Sequence, residues 1–303
     1  MTQLTTPVVL LIFNRPNTTE RVFETIRRAR PTRLLVVADG PRIDNPEEEE
    51  LCRQTRSILE RVDWPCQVDT NFSSVNLGCM RRVSSGIDWV FENVEEAIIL
   101  EDDCLPHPSF FQFCTELLAR YRNEPKVAQI GGVNLQFGRR SSASSYYFSR
   151  YNHVWGWATW RRAWKLNDND MVDWPAFRDN NGLEQHLTKK KEILYWKKVL
   201  DLVASGDIDS WACRWTLSCW RKNLVTVLPC VNLISNIGFG SDATHTTAVE
   251  SRFASIPTEE IIFPLTAPDT MELDKEADEF TGRTMFREQT LIDKICSLIR
   301  GLF

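Results

Sequence analysis

Three consecutive carboxylates, Glu101, Asp102 and Asp103, directly follow the apolar run Ala97-Ile98-Ile99-Leu100. A short, continuous apolar run bounded by polar residues reads as a parallel strand buried on both faces. Open α/β sheets bind their ligands outside the carboxyl ends of such strands. Three acids crowded there repel one another unless a cation sits among them. The pattern points to a divalent-metal site that receives a phosphorylated ligand. The competing structural reading is a solvated turn, with Asp102 or Asp103 capping a helix that starts near Pro108.

Other residues have chemistry in reach. Asp209 stands immediately before a Trp-rich stretch, residues 210–222, and fits either a helix N-cap or a general base; Asp207 is its rival. Among His107, His153, His186 and His245, the last lies in a loop of Gly and Thr (residues 236–247) that suits phosphate or metal contact. The other three read as surface or packing residues. Arg15 and Asp39, each just past a strand, fit either ligand contacts or a strand-end salt bridge of little worth. Of Arg81 and Arg82, one reads as a solvated helix charge, and Arg82 as the one that faces a diphosphate. Trp155 and Trp157 flank Gly156, which permits close backbone approach; their rings fit core packing or stacking on a sugar face.

The elements that position these residues alternate. Residues 8–13 form a first strand, Thr18 or Thr19 caps a helix to about Arg30, and residues 33–38 form a second strand ending at Asp39-Gly40-Pro41. Pro46 and four Glu open a helix continuing to about Val62, residues 66–71 form a third strand, and a helix follows Leu77-Gly78 to about Glu92. With the strand 97–100, this is the β-α-β-α-β-α-β order of a doubly wound α/β sheet.

The second half is less regular. A helix is expected from Pro108 to about Arg122, strands at 127–132, 146–150 and 225–228, an aromatic turn and helix over 153–164, and helices over 182–204 and 210–222. Residues 138–145 and 236–247 read as loops that close over a bound ligand. Residues 266–284 read as an acidic, extended linker. The last twenty residues are amphipathic and fit either a helix docked on the domain or a peripheral membrane anchor.

The chain has 303 residues, 43% hydrophobic and 25% charged, which is ordinary globular composition with length for a substantial core. A net charge of -5 argues against a nucleic-acid partner. Nine Cys without a C-x-x-C pair argue against a disulfide framework or a structural zinc site. The N-terminus lacks a basic n-region and a cleavage site, so a cytoplasmic location is expected, with peripheral contact at the inner membrane face left open. P-loop, Rossmann dinucleotide and nucleophile-elbow motifs are absent from the sequence.

Taken in order, these residues resemble GT-A-fold glycosyltransferases, above all the N-acetylglucosaminyltransferase I group, which carries the same acidic triplet, and bacterial family-2-like nucleotide-diphospho-sugar transferases. The resemblance runs over residues 8–247 and includes Arg15, Asp39, Asn76-x-Gly78, the triplet, Gly156-Trp157, Asp209-Ser210-Trp211 and Phe239-Gly240. It implies a single large α/β domain with a mostly parallel central sheet flanked by helices. Residues 1–133 would be a Rossmann-like half that binds the nucleotide sugar, 134–265 the acceptor and catalytic half, and 266–303 the linker and C-terminal helix.

The resemblance also implies an inverting, metal-dependent glycosyltransferase, with UDP-N-acetylglucosamine as the first UDP-sugar donor to try and a glycan or lipid-linked hydroxyl as acceptor. Asp103, with His245, would ligate Mn²⁺ or Mg²⁺ against the donor's two phosphates. Asp102 would contact the ribose, Glu101 a sugar hydroxyl, and Arg15 and Asp39 the uracil end. Phe13, Asn14, Asn76, Gly78, Arg82 and Trp157 would complete the nucleotide-sugar contacts, and Asp209 would be the base. Two rivals remain: a sugar-1-phosphate nucleotidyltransferase, and a nucleotide-sugar-binding relative without transferase activity.

Overall fold

The computed structural model describes residues 3–139, 143–239 and 253–286. The first hundred residues follow their apolar pattern. β1 (Val8–Ile12), α1 (Pro16–Ala29), β2 (Arg33–Ala38), α2 (Pro46–Ser57), β3 (Gln67–Phe72), α3 (Cys79–Asn93) and β4 (Glu96–Glu101) alternate along the chain. Their strands lie side by side in the order β3-β2-β1-β4, all parallel. Every residue of β1 is buried, as a strand covered on both faces requires.

The start of α1 departs from expectation. Pro16 opens the helix, where its missing N–H is no loss. Thr18 and Thr19 lie inside the first turn, and the Thr19 hydroxyl donates back to the Arg15 carbonyl at 2.7 Å.

The second half supplies β5 (Cys104–Pro106), α4 (Ser109–Tyr121), β6 (Val127–Gly131), β7 (Tyr146–Ser149), β8 (Trp157–Trp160), α5 (Arg161–Trp164), α6 (Trp174–Asp179), α7 (Lys190–Ser205), α8 (Trp211–Arg221), β9 (Val225–Pro229), β10 (Ile234–Asn236) and α9 (Lys275–Met285). The sheet continues past β4 as β8-β6-β9-β7, giving eight strands among the described residues. β8 runs antiparallel to both β4 and β6. β5 and β10 form a separate antiparallel pair beside the acidic strand end.

Three expectations are corrected here. Residues 157–160 were expected in a turn and helix; their aromatic and β-branched side chains instead favour a strand with all four residues buried. The helix expected over 182–204 is broken into a 3₁₀ turn, Leu183–Gln185, and α7, which stops at Gly206 with φ +86°. The segment expected to be extended over 266–284 contains α9, capped by Asp274, whose side chain accepts from the Ala277 N–H.

Most of the eleven Trp serve the core. Trp157, Trp164, Trp211 and Trp215 pack together, with the Trp157 and Trp211 rings stacked at 5.8 Å and those of Trp164 and Trp215 tilted at 5.3 Å. Trp215 Nε1 donates to Gln129 Oε1 at 2.6 Å, which ties α8 to β6. At the β7 edge of the sheet, α9 is locked to β7. The buried Asp278 carboxylate accepts from Ser149 Oγ at 2.6 Å and from Arg150 Nε at 2.9 Å, and Gln136 Nε2 donates to the Thr281 hydroxyl at 2.9 Å. No helix among the described residues is long and apolar enough to cross a membrane. The C-terminal amphipathic segment from residue 287 onward lies outside the described residues, as do parts of both predicted loops.

Candidate active site

Parallel pairing of β1 with β4 sets Leu11 opposite Glu101 and so brings residues 13–15 to the acidic triplet. Phe13 N–H donates to Asp102 Oδ2 at 3.3 Å, and Arg15 donates to Asp103 Oδ2 at 3.0 Å while standing 3.8 Å from Asp102 Oδ1. The salt bridge considered between Arg15 and Asp39 is therefore not formed; Arg15 serves the triplet. Asp102 and Asp103 are buried, and Oε1 of Glu101 is buried with no hydrogen-bond partner. Burial, then the neighbouring charges of Asp103 and Asp102, push the Glu101 carboxyl well above its ordinary range. Burial likewise raises Asp102, with Arg15 opposing the shift.

Among the described residues one guanidinium stands against three acids, which leaves the cluster short of positive charge. The unpartnered Glu101 oxygen and an all-oxygen donor set fit a hard divalent cation such as Mg²⁺ or Mn²⁺. Gly238 packs against Asp103, where any side chain would collide with the carboxylate, and Asn236 Nδ2 lies 3.5 Å from Asp103 Oδ1. No group of three His, Cys, Asp or Glu side chains among the described residues already converges as a metal site. His245, the other expected ligand, lies outside the described residues.

Asp39 directly follows β2 and is consumed locally. Its Oδ1 accepts the Gly40 and Leu77 N–H groups, both at 2.9 Å, and its Oδ2 accepts Asn76 Nδ2 and the Gly78 N–H, both at 3.1 Å. Burial raises its pKa while the backbone N–H groups of Leu77, Gly40 and Gly78 oppose the rise. The expected contact with a uracil has no free oxygen to use. Asn76 is likewise engaged, donating also to the Gly40 carbonyl at 2.9 Å.

Asp209 does not cap its own helix. Ser210 does, accepting the Cys213 N–H at 3.1 Å. Asp209 is exposed and reaches across to α3, where Oδ1 accepts the Met80 N–H at 3.3 Å. Gly78, at φ +80°, precedes that helix, and a Cβ there would lie 3.1 Å from Asp209 Oδ2. Cys79 marks the convergence: burial and then the charges of Glu101, Asp209 and Asp39 hold its thiol well above the ordinary range.

The remaining expected residues divide. Asn14 Nδ2 donates to Glu48 Oε1 at 3.0 Å, and the Arg42 guanidinium lies 5.5 Å from the centroid of the Phe13 ring. Arg82 is corrected: its guanidinium donates to the Ala38 carbonyl at 3.1 Å and to Asn71 Oδ1 at 2.8 Å, so it closes the ends of β2 and β3. Arg81, in the first turn of α3, is the exposed one. Trp157 is corrected too, since a fully buried ring cannot stack on a ligand. Trp155 packs edge-on to Phe239 at 5.8 Å. Glu48 was missed: it is buried, accepts the Arg42 N–H at 2.9 Å and holds Asn14. Nothing in a run of four Glu singles it out.

No family model matches the chain, and no curated protein matches it. Among solved structures it is similar to a UDP-glucose pyrophosphorylase complexed with UDP-glucose, at 13% identity and TM-score 0.27, over 47% of this chain. The chain spans 62% of that protein's length. It is also similar to a 4-diphosphocytidyl-2C-methyl-D-erythritol synthase from Anaerococcus prevotii, at 9% identity and TM-score 0.33, over 57% of this chain and 85% of that one. Scores this low leave the chemistry to be read from this chain's own residues.

Proposed function

We propose that this chain is an inverting, metal-dependent glycosyltransferase of the GT-A type that moves a sugar from a UDP-sugar to a hydroxyl of a glycan or lipid-linked acceptor. The observation that carries the reading is that exposed Asp209 is fixed on the first turn of α3 by the Met80 N–H, while Cys79 beside it lies within the field of both Glu101, at the end of β4, and Asp209. Phosphate-binding sites favour helix N-termini at the carboxyl edge of a parallel sheet.

In this reading Asp103, with Asp102 beside it, would hold Mn²⁺ or Mg²⁺, which when bound neutralises charge on a departing diphosphate. Arg15 balances the carboxylates and keeps them aimed at the mouth of the sheet. Asp209 takes the proton from the acceptor hydroxyl as its oxygen forms a bond to the anomeric carbon. The bond from that carbon to the nucleoside diphosphate breaks, and attack from the opposite face inverts the sugar. Trp157, fully buried in the core, takes no part in stacking on a sugar face, and Glu101 would contact a hydroxyl of the donor sugar.

The nucleotidyltransferase alternative makes the opposite connection, joining a sugar phosphate to a nucleoside triphosphate. The turn after β1 is Phe13-Asn14-Arg15-Pro16, without the Gly-rich loop that would wrap a triphosphate. The deciding experiment incubates the purified chain with Mn²⁺ and either UDP-N-acetylglucosamine or UTP plus a sugar 1-phosphate. Release of UDP that stops in Asp209→Asn supports the transferase. Release of pyrophosphate overturns it, as does the lack of both products together with no thermal shift by any nucleotide sugar.

A further inference from the structure

We infer that Asp39 is a positioning residue, which touches no ligand and instead clips residues 76–78 to the end of β2 so that the first turn of α3 and the Asp209 carboxylate stand in register. A carboxylate offers about four acceptor positions, and four donors at 2.9 to 3.1 Å already occupy those of Asp39. Its residue is only 6% exposed, which leaves no face for an incoming N–H group.

The clip is reinforced from two sides. Gly40, the residue after Asp39, packs so closely on the Val75 backbone that a side chain there would collide with it. Arg82, one turn into α3, donates Nε to the carbonyl of Ala38, the residue before Asp39. The same helix start is thus held to β2 at its entry and from within.

The load reaches Asp209 through two neighbours. Gly78 gives its N–H to Asp39 and turns its bare Cα toward Asp209 Oδ2; two residues on, Met80 gives its N–H to Asp209 Oδ1. A slip of the 76–78 turn therefore moves the N–H that orients Asp209. Misplacement of a reacting group by about 1 Å can cost on the order of a hundredfold in rate.

The kinetic part of this inference rests on the transferase reading, and the exchange part does not. In Asp39→Asn one acceptor oxygen becomes an NH₂ facing backbone N–H groups. The amides of Leu77, Gly78 and Met80 are expected to exchange at least about tenfold faster than in the parent chain. Turnover is expected to fall at least about tenfold, with donor Kd within about threefold and the preference for uridine over cytidine donors kept. Asn76→Ala, which removes the bonds to Asp39 and to the Gly40 carbonyl but leaves the three backbone N–H groups on Asp39, gives the same pattern in weaker form should Asp39→Asn fail to fold. A raised donor Kd with turnover kept, or a lost base preference, makes Asp39 a base contact and overturns the inference. An unchanged Met80 amide also overturns it, because the link to Asp209 is then cut. If the parent chain turns over no donor, the transferase reading falls and the exchange of Met80 alone decides the role of Asp39.

Discussion

The Asp209 carboxylate accepts the backbone N–H of Met80 at 3.3 Å, across a sequence separation of 129 residues. A carboxylate that caps another element's helix, while its own helix is capped by Ser210, is held in place yet remains exposed. Asp209→Asn keeps an oxygen for Met80, so the unfolding free energy should stay within about 0.5 kcal/mol of the parent. Its turnover should fall by about 10²- to 10⁴-fold, the usual size of a lost general base. Calorimetry and UDP-release kinetics on one sample read both.

The Arg15 guanidinium is paired with Asp102 and Asp103. Arg15→Ala leaves those acids and Glu101 without it and should cost about 3–5 kcal/mol, as stranding buried charge does. Added Mg²⁺ or Mn²⁺ should recover more stability in this variant than in the parent, and Asp103→Asn should abolish the recovery. Thermal unfolding with and without metal is the test; equal metal shifts in all three chains would remove the cation site.

His153 is buried, and burial depresses its pKa to about 4 from an ordinary 6.5. The folded state binds fewer protons than the unfolded one between those values. Its contribution to stability is therefore complete above pH 6.5 and declines as pH falls toward 4. A shift of this size corresponds to about 3 kcal/mol. The difference in unfolding free energy between the parent and His153→Leu, followed by denaturant titration, should change across that window and be flat above it.

Asp278 and Arg150 lock α9 to the sheet. Arg150→Met strands a buried carboxylate and should cost about 3–5 kcal/mol, with α9 losing amide protection before the sheet does. Asp278→Asn should cost less, since an amide oxygen still accepts from Ser149.

Trp157→Ala empties a fully buried site among Trp164, Trp211 and Trp215 and should cost about 3–5 kcal/mol. The loss should be the same with and without a nucleotide sugar, which calorimetry can check; a loss confined to ligand binding would restore a cleft role for the ring.

The parallel half of the fold was legible because a strand buried on both faces writes itself as an apolar run, as in residues 8–12 and 97–100. The triplet was legible for the same reason, since its place follows from where that run stops. β8 was not, because Trp-Ala-Thr-Trp has no apolar run to announce it and is short enough to pass for a turn. α9 hid behind its charges: Asp278 looks like a solvated acid until Arg150, 128 residues away in sequence, is brought against it. Asp39 shows the same gap in finer detail. Its type and position at a strand end were readable, but three of the four donors that consume it arrive with a turn nearly forty residues further on.

β8 arrives from beyond residue 150 and wedges itself between β4 and β6, antiparallel to both. A recombinant fragment ended after β6 would expose the hydrogen-bonding flank of β4 along Glu96 to Ile99, where β8 now sits. Bare flanks of this kind recruit other chains. Expression trials that seek the nucleotide-binding portion alone should therefore carry the chain through at least Trp160, or expect an insoluble product.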